Sequence, residues 1–518
     1  MKRLHRFRSL NFVNNIFDFQ RLISMNALAI QNLKSKIQNS LVALLIVVLS
    51  WVCLMLPASA FCGFYVSKAD AKLYNQASQV VIARDGNRTI LTMANDYQGD
   101  VKDFALVVPV PVILQEDQVR IGDPKIIERL DAFSAPRLVE YFDSDPCQVY
   151  LPESPDFSLS DRAPLRSQQA AGKRDEALGV TVESRFTVGE YDILILSAKE
   201  SNGLETWLRR NGYRIPRGAH RVLQSYIRQK MKFFVAKVNL GELEKAGTQF
   251  LRPLMMAYES PKFMLPIRLG MVNGSGEQDL IVYVLSPKGQ AEITNYRTVK
   301  IPSNAEVPLF IKTEFGDFYK AMFQTAYSQE GKNVAFLEYA WNMAWCDPCA
   351  ANPLTPEELR QAGVFWLNGE GNSSSPSSRF APMPNPNPNV FISRLHVRYS
   401  RDKFPADLQF QATANQQNFQ GRYVLRHPFA GKTTCPAGRQ YQRQLRQRQE
   451  QEVQTLAQLT RWNVGDIRRK ARIGQSSQDA WWRNVWPDLR KSHQKERSEK
   501  RSSQDAWWQS VWSGLSKS

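Results

Sequence analysis

An apolar run near the N-terminus decides which part of this chain has to build a water-soluble core. Leu41-Val42-Ala43-Leu44-Leu45-Ile46-Val47-Val48-Leu49 continues almost unbroken to Leu56, with Lys34 and Lys36 upstream and Ala58-Ser59-Ala60 beyond it. A basic flank, an apolar middle and a small-residue end describe a cleavable secretory signal. The run is short for a spanning helix, which needs about 20 apolar residues. The preceding flank is long for a signal, so either translation begins near Met25 or residues 1–60 stay as an uncleaved N-terminal membrane anchor. Both versions place residues 61–518 outside the cytoplasm by the positive-inside rule, in a periplasmic or other extracytoplasmic space. A lipoprotein signal does not fit, because Phe61 stands before Cys62 where a small residue is needed.

Export changes how the cysteines are read. Cys53 lies inside the apolar run; Cys62, Cys147, Cys346, Cys349 and Cys435 follow it. An oxidising compartment favours disulfides among these five. Five is an odd number, so at least one is unpaired, bonded to another chain, or reactive.

The charge is uneven. Of the formal net +18, residues 1–60 hold 7 Lys/Arg against 1 Asp/Glu, and residues 426–518 hold 19 against 8. Residues 61–425 hold 41 against 40, so the globular part is close to neutral and the basic ends say nothing about its ligand. With 43% hydrophobic residues in 518, a sizeable core is available.

Strand and helix patterns then alternate irregularly. Residues 78–84 and 88–93 flank Asp85-Gly86-Asn87, a hairpin signal. Phe104 to Pro111 is an apolar run whose prolines suggest a sheet edge or strand end. Ile126, Ile127, Leu130, Phe133 and Leu138 predict a helix over 124–142. Residues 152–177 form a polar insertion. Strand character returns at 178–197, two helical stretches at 202–211 and 219–230, and strands around 231–239 and 263–302. A helix near 314–328 leads to the apolar stretch 334–341. Residues 368–389 are rich in Ser, Pro and Asn, yet a clearly alternating strand follows at 390–399, so this linker sits inside the domain. Residues 438–470 are rich in Gln and Arg and suit a solvated helix. Without regular βαβ alternation, the fold class is α+β: mixed, largely antiparallel sheets with several helices, long polar insertions and a mostly disordered or helical basic C-terminal tail. The organisation expected is residues 1–60 as leader or anchor and 61–430 as one large domain or two closely packed subdomains. A basic Gln/Arg-rich tail then occupies 431–518.

A dispersed set of residues carries a family likeness. Phe61-Cys62-Gly63-Phe64-Tyr65-Val66, Met93-Ala94-Asn95-Asp96-Tyr97, the Pro109/Pro111 pair, Trp345-Cys346-Asp347-Pro348-Cys349 and Gly421 to Pro428 together resemble an exported bacterial family, domain of unknown function 2330, over roughly residues 61–430. The resemblance implies a secreted or membrane-tethered bacterial protein and implies no activity.

Trp345-Cys346-Asp347-Pro348-Cys349 is also close to the active-site motif of thiol–disulfide oxidoreductases. A reactive thiol there needs a helix N-terminus and partial exposure. Pro353 disfavours a helix through Asn352, and the next helix start is Thr355-Pro356, a good N-cap and first-turn pair. A structural disulfide, within the pair or to Cys62, Cys147 or Cys435, is therefore preferred over redox catalysis by Cys346 and Cys349 or metal binding. No metal site is expected, because His220, His396 and His427 make no spaced ligand pair. His396 shares a strand face with Arg394 and Arg398, which suits a solvated face or an anion. Asp96, Asp100 and Asp103 flank a turn that can be a polar loop or a cation site. Gly431-Lys432-Thr433 looks like the end of a phosphate loop, but Arg426 stands where that motif needs glycine.

One repeat is unmistakable. Ser476-Ser477-Gln478-Asp479-Ala480-Trp481-Trp482 and Val485-Trp486 recur as Ser502-Ser503-Gln504-Asp505-Ala506-Trp507-Trp508 and Val511-Trp512, within segments 476–489 and 502–515. The Trp and Val positions share one helical face. Trp with nearby Arg/Lys suits an anionic membrane interface, an envelope protein partner or docking onto its own domain. Nucleic acid is not expected of an exported chain. The preferred reading is a non-catalytic binding or structural module at the cell envelope, without a cofactor and with an interaction tail. The alternative is an extracytoplasmic thiol–disulfide oxidoreductase using Cys346 and Cys349.

Overall fold

Gly86 and Asn87 close the first hairpin, Ala77–Asp85 with Arg88–Asn95, and Gly86 takes the positive φ (+55°) such a turn requires. The computed structural model describes residues 64–67, 77–95, 104–148, 180–211, 218–239, 251–273, 276–345, 351–368 and 389–472, with a few single positions between them. All of them belong to one unit, Ala58–Ser516. The class is α+β, with eight α-helices and mixed, largely antiparallel sheets among the described residues.

The hairpin is the middle of a nine-stranded sheet. Leu254–Glu259 and Val119–Ile121 extend it on one side, and Gln278–Ser286, Phe391–Tyr399, Val334–Asn342 and the edge strand Arg297–Lys300 on the other, with the short strand Phe419–Gln420 also paired to Val334–Asn342. The Phe391–Tyr399 strand thus lies in the heart of the sheet, antiparallel to both neighbours, although the Ser/Pro/Asn-rich stretch precedes it. Val80, Val282, Leu395 and Val397 on one face of this sheet share a core with Leu106, Val108, Ile193 and Phe234 of a five-stranded sheet. That second sheet runs Phe64–Ser67, Phe104–Val110, Lys232–Val238, Tyr191–Ala198, Val180–Val188. Its other face, through Ala105, Phe233 and Val235, packs on helices Ser201–Arg210 and Ala219–Arg228. Period-two alternation explains both cores: successive side chains feed opposite faces. Pro109 is accommodated because Phe64–Ser67 pairs only with residues 104–107, so its missing N–H costs no ladder bond there.

The opposite face of the nine-stranded sheet is covered by helices. Pro124–Ser134 packs over Tyr283, Tyr339 and Ile392, beside Leu359 of the short helix Pro356–Gln361. That short helix starts where expected: Thr355 Oγ1 accepts from Glu358 N at 3.2 Å, and Thr355 N donates to Glu358 Oε2 at 2.8 Å. Phe315–Gln329 packs over Phe336.

Two expectations are revised. The helix over 124–142 stops at Ser134, because Pro136 disfavours helical geometry in the residue before it. Arg137–Phe142 is instead a strand, parallel to Arg422–His427, and Leu138 serves it. The Gln/Arg-rich stretch is helical, Pro436–Thr460 and Val464–Ala471, but not solvated all round. Val453, Leu456 and Ile467 are buried in the core that contains Phe318, Met322 and Phe336. Cys435 caps the first of these helices and is disulfide-bonded to Cys147.

Candidate functional site

The densest set of titratable groups lies between the nine-stranded sheet and its helical cover. Arg394 and His396 point off the same face of one strand, two residues apart. On the neighbouring strand a β-bulge between Leu337 and Tyr339 inserts Glu338, whose carbonyl accepts from Gly421 N at 2.7 Å. The bulge turns the Glu338 side chain to the same face as Arg394 and His396. Gln278–Ser286 brings Asp279 and Tyr283 from the other flank, and the helix Pro124–Ser134 adds Asp131 from above.

These groups form one connected network. Arg394 Nε donates to Glu338 Oε2 at 2.6 Å, and its Nη1 to Asp131 Oδ1 at 2.5 Å. Tyr283 donates its hydroxyl to the same Asp131 oxygen at 2.7 Å. His396 Nδ1 faces Glu338 Oε1 at 2.8 Å, and Nε2 faces Asp279 Oδ1 at 3.0 Å. Arg398 holds Asp279 bidentately at 2.8 and 2.9 Å. Tyr319, from the helix Phe315–Gln329, donates to Glu338. Phe323 of that helix stacks on the His396 ring at 4.0 Å.

The electrostatics are self-consistent. Three carboxylates, Asp131, Glu338 and Asp279, meet two guanidiniums and one imidazole, so the cluster is neutral when His396 is protonated. Both His396 nitrogens face carboxylates, the arrangement an imidazolium wants. Burial alone would pull His396 down, but Glu338 and Asp279 outweigh it and raise its pKa above the ordinary imidazole value. Burial alone would push Glu338 up, and His396 and Arg394 instead hold its carboxyl at about 2. Asp279 is likewise held below the usual carboxylate range, burial being outweighed by Arg398 and His396. Arg394, His396 and Glu338 are at most 3% exposed, so the centre of the set is neutralised out of reach of water, while Asp279 and Arg398 reach toward its edge.

The sequence pattern misses this site in one respect. The Arg394/His396/Arg398 face is a buried ion-pair surface, not a solvated one, because partners arrive from strands and a helix that are remote in sequence. One signal was available: Glu338 is a lone acid inside the apolar strand Val334–Asn342. A buried charge of that kind needs a cationic partner.

A cleft of about 440 Å³ opens elsewhere, between the edge strand Arg297–Lys300 and the two segments that carry Gln290 and Asn415. Glu292, Arg297, Lys300, Gln290 and Asn415 supply polar groups, and Ile293, Val299 and Leu337 apolar surface. Arg297 is paired with Glu330 at 2.5 Å, and Lys300 lies over the Phe419 ring at 5.2 Å. Gly289 fixes the rim: a Cβ there would stand 2.5 Å from Asn415 O. The lining contains neither His nor Cys; Tyr296, Thr298, Lys300 and Glu292 supply its hydroxyls and charges.

Of the residues singled out by sequence, Cys147 and Cys435 are brought together as a disulfide across a sequence separation of 288. Asp143, just before Cys147, also accepts from Tyr441 Oη at 2.7 Å and pairs with Arg448 Nη2 at 2.8 Å, so the same junction is tied by charge. Cys62, Cys346 and Cys349 lie outside the described residues, as do Asp96, Asp100, Asp103, the segment 41–60 and Trp481, Trp482, Trp486, Trp507, Trp508 and Trp512. Trp345, next to Cys346, is 48% exposed and meets Trp341 edge-on. Among the described residues no helix is long and apolar enough to cross a membrane, and no group of three His, Cys, Asp or Glu is placed to hold a metal ion.

Comparison with known proteins agrees with the dispersed likeness. No curated protein and no solved structure matches the chain. A family model described as "uncharacterized protein conserved in bacteria", domain of unknown function 2330, matches residues 56–411, well over half the chain. The match takes in the hairpin, both large sheets and the bulged strand that carries Glu338, and the chain belongs to this bacterial family.

Proposed function

We propose that this is an exported, envelope-associated protein whose α+β domain is a non-catalytic binding or structural module, with the Trp-repeat tail attaching it to a membrane surface or an envelope protein. One observation carries the non-catalytic reading. The richest titratable assembly among the described residues is consumed in its own ion pairs. Export is supported by the leader-like residues 41–60 and by the Cys147–Cys435 disulfide, since such bonds persist in oxidising compartments.

The test is to express the full chain in a bacterial host, trap free thiols with a maleimide before lysis, and fractionate the cells. The chain is expected outside the cytoplasm, with Cys147 and Cys435 unlabelled until reduced. A cytoplasmic chain with both thiols labelled sinks the export reading. Catalysis is tested separately: a purified chain that oxidises or reduces a model disulfide, and loses this in Cys346→Ser, overturns the non-catalytic reading. Deleting 474–518 is expected to lower pelleting with anionic vesicles, and unchanged pelleting removes the membrane arm.

A further inference from the structure

Arg137 is buried to 8% exposure, yet among the described residues no carboxylate pairs with it. Arg394, by contrast, is neutralised by two carboxylates, and the buried Arg84 has its guanidinium met by Thr89 Oγ1 and Ser260 O. Arg137 has a neutral partner on one side only. With the Gln420 amide turned so that its oxygen faces the guanidinium, that oxygen accepts from Nε at 2.8 Å. Arg137 Nη1 has no partner.

Two more buried donors share its surroundings. The Arg137 guanidinium lies over the Tyr339 ring, 6.0 Å from its centre. Tyr339 stacks with Trp341 at 5.8 Å, two residues along the same face of the strand. Trp341 Nε1 is buried and without a partner, and the buried Tyr339 hydroxyl faces the Arg137 guanidinium without a well-formed hydrogen bond to it. Leaving such buried donors unmet on neighbouring residues is costly. Arg422 adds a second positive charge nearby rather than relieving the first.

The chemistry of the three atoms defines what completes them. Guanidinium and indole N–H groups can only donate, and the tyrosine hydroxyl can donate as well. Their shared partner must therefore accept. A water molecule can accept two such bonds but leaves the buried charge unneutralised, whereas a small anion does both. We propose that Arg137, Tyr339 and Trp341 form a binding site for a small monovalent anion of the carboxylate or halide class, at the end of the aromatic row that Trp345 continues edge-on from Trp341. The site is separate from the cleft and from the neutral ion-pair network, and it does not depend on whether the protein is exported.

The experiment is thermal unfolding of the purified full chain at constant ionic strength. Gluconate, too large to enter, is replaced stepwise by formate or by chloride. The midpoint is expected to rise and saturate with formate, chloride or both, because an anion bound only by the folded state stabilises it. The better anion identifies the source, carboxylate or halide. Arg137→Met should abolish the rise. Tyr339→Phe, which keeps the ring packing, should raise the half-saturating concentration roughly tenfold, the effect of one lost charge-assisted hydrogen bond. A flat midpoint with both anions overturns the proposal. So does an unchanged half-saturating concentration in Tyr339→Phe, which still decides the matter if Arg137→Met does not fold.

Discussion

Replacing Glu338 by Gln tests whether the buried network is a linchpin of the fold. Glutamine keeps the shape and removes the charge that both Arg394 and His396 face. The size of the loss follows from two routes. Glu338 is held down from 4.5 to about 2 in the folded chain, which at ~1.4 kcal/mol per pKa unit is about 3 kcal/mol of stability at neutral pH. Removing one partner of a buried ion pair leaves its cations uncompensated, a loss of roughly 3–5 kcal/mol. The two agree, and they predict that urea unfolding followed by circular dichroism shifts its midpoint down by about 1 M or more. A companion variant sharpens the reasoning. Arg394→Met removes the cation itself, so the double variant should lose less than the sum of the two single losses, with a coupling of roughly 1–3 kcal/mol. A loss under about 1 kcal/mol for Glu338→Gln, or strictly additive losses in the double variant, would falsify the idea that these charges hold one another in place.

His396 contributes with the opposite pH sign. Its folded pKa is raised, so its stabilisation is complete below the unfolded imidazole value of ~6.5 and is lost as pH rises through the folded value. Glu338, held at about 2, contributes above 4.5 and loses its share as pH falls toward about 2. Unfolding midpoints measured across pH should therefore fall off on the alkaline side, and His396→Gln should flatten that decline; a decline left unchanged in the variant would place its origin elsewhere. Reducing the Cys147–Cys435 bond, or Cys147→Ser, should lower stability by roughly 2–5 kcal/mol and expose the Pro436–Thr460 helix to limited proteolysis first. A protease pattern identical with and without reductant argues against that clamp. Gly289→Ala should cost roughly 1–3 kcal/mol, since its Cβ would stand 2.5 Å from Asn415 O and push the cleft rim apart; an unshifted melting curve would mean that the rim yields freely.

What the sequence makes legible here is what depends on neighbours in the chain. The hairpin at Gly86-Asn87, the capping box of Thr355 and Glu358 and the placement of the Phe391–Tyr399 strand all follow from residues within a few positions of one another. The helix read through Leu138 fails for a local reason too: the apolar spacing continues, but Pro136 forbids the geometry and a parallel strand 285 residues away takes the segment over. The buried network is illegible for a different reason. Alternation along Arg394, His396 and Arg398 has the signature of a wet face, and only the fold reveals that Asp279, Glu338 and Asp131 converge on it from sequence distances of 119, 56 and 263. A charged strand face therefore says that something must satisfy the charges, not that water does so. Arg137 makes the same point from the other side. It too sits on a strand beside an aromatic face, but the fold brings it only Gln420, Tyr339 and a second arginine. Two arginines alike in sequence context thus differ in what the fold supplies: two carboxylates for Arg394, neutral partners for Arg137.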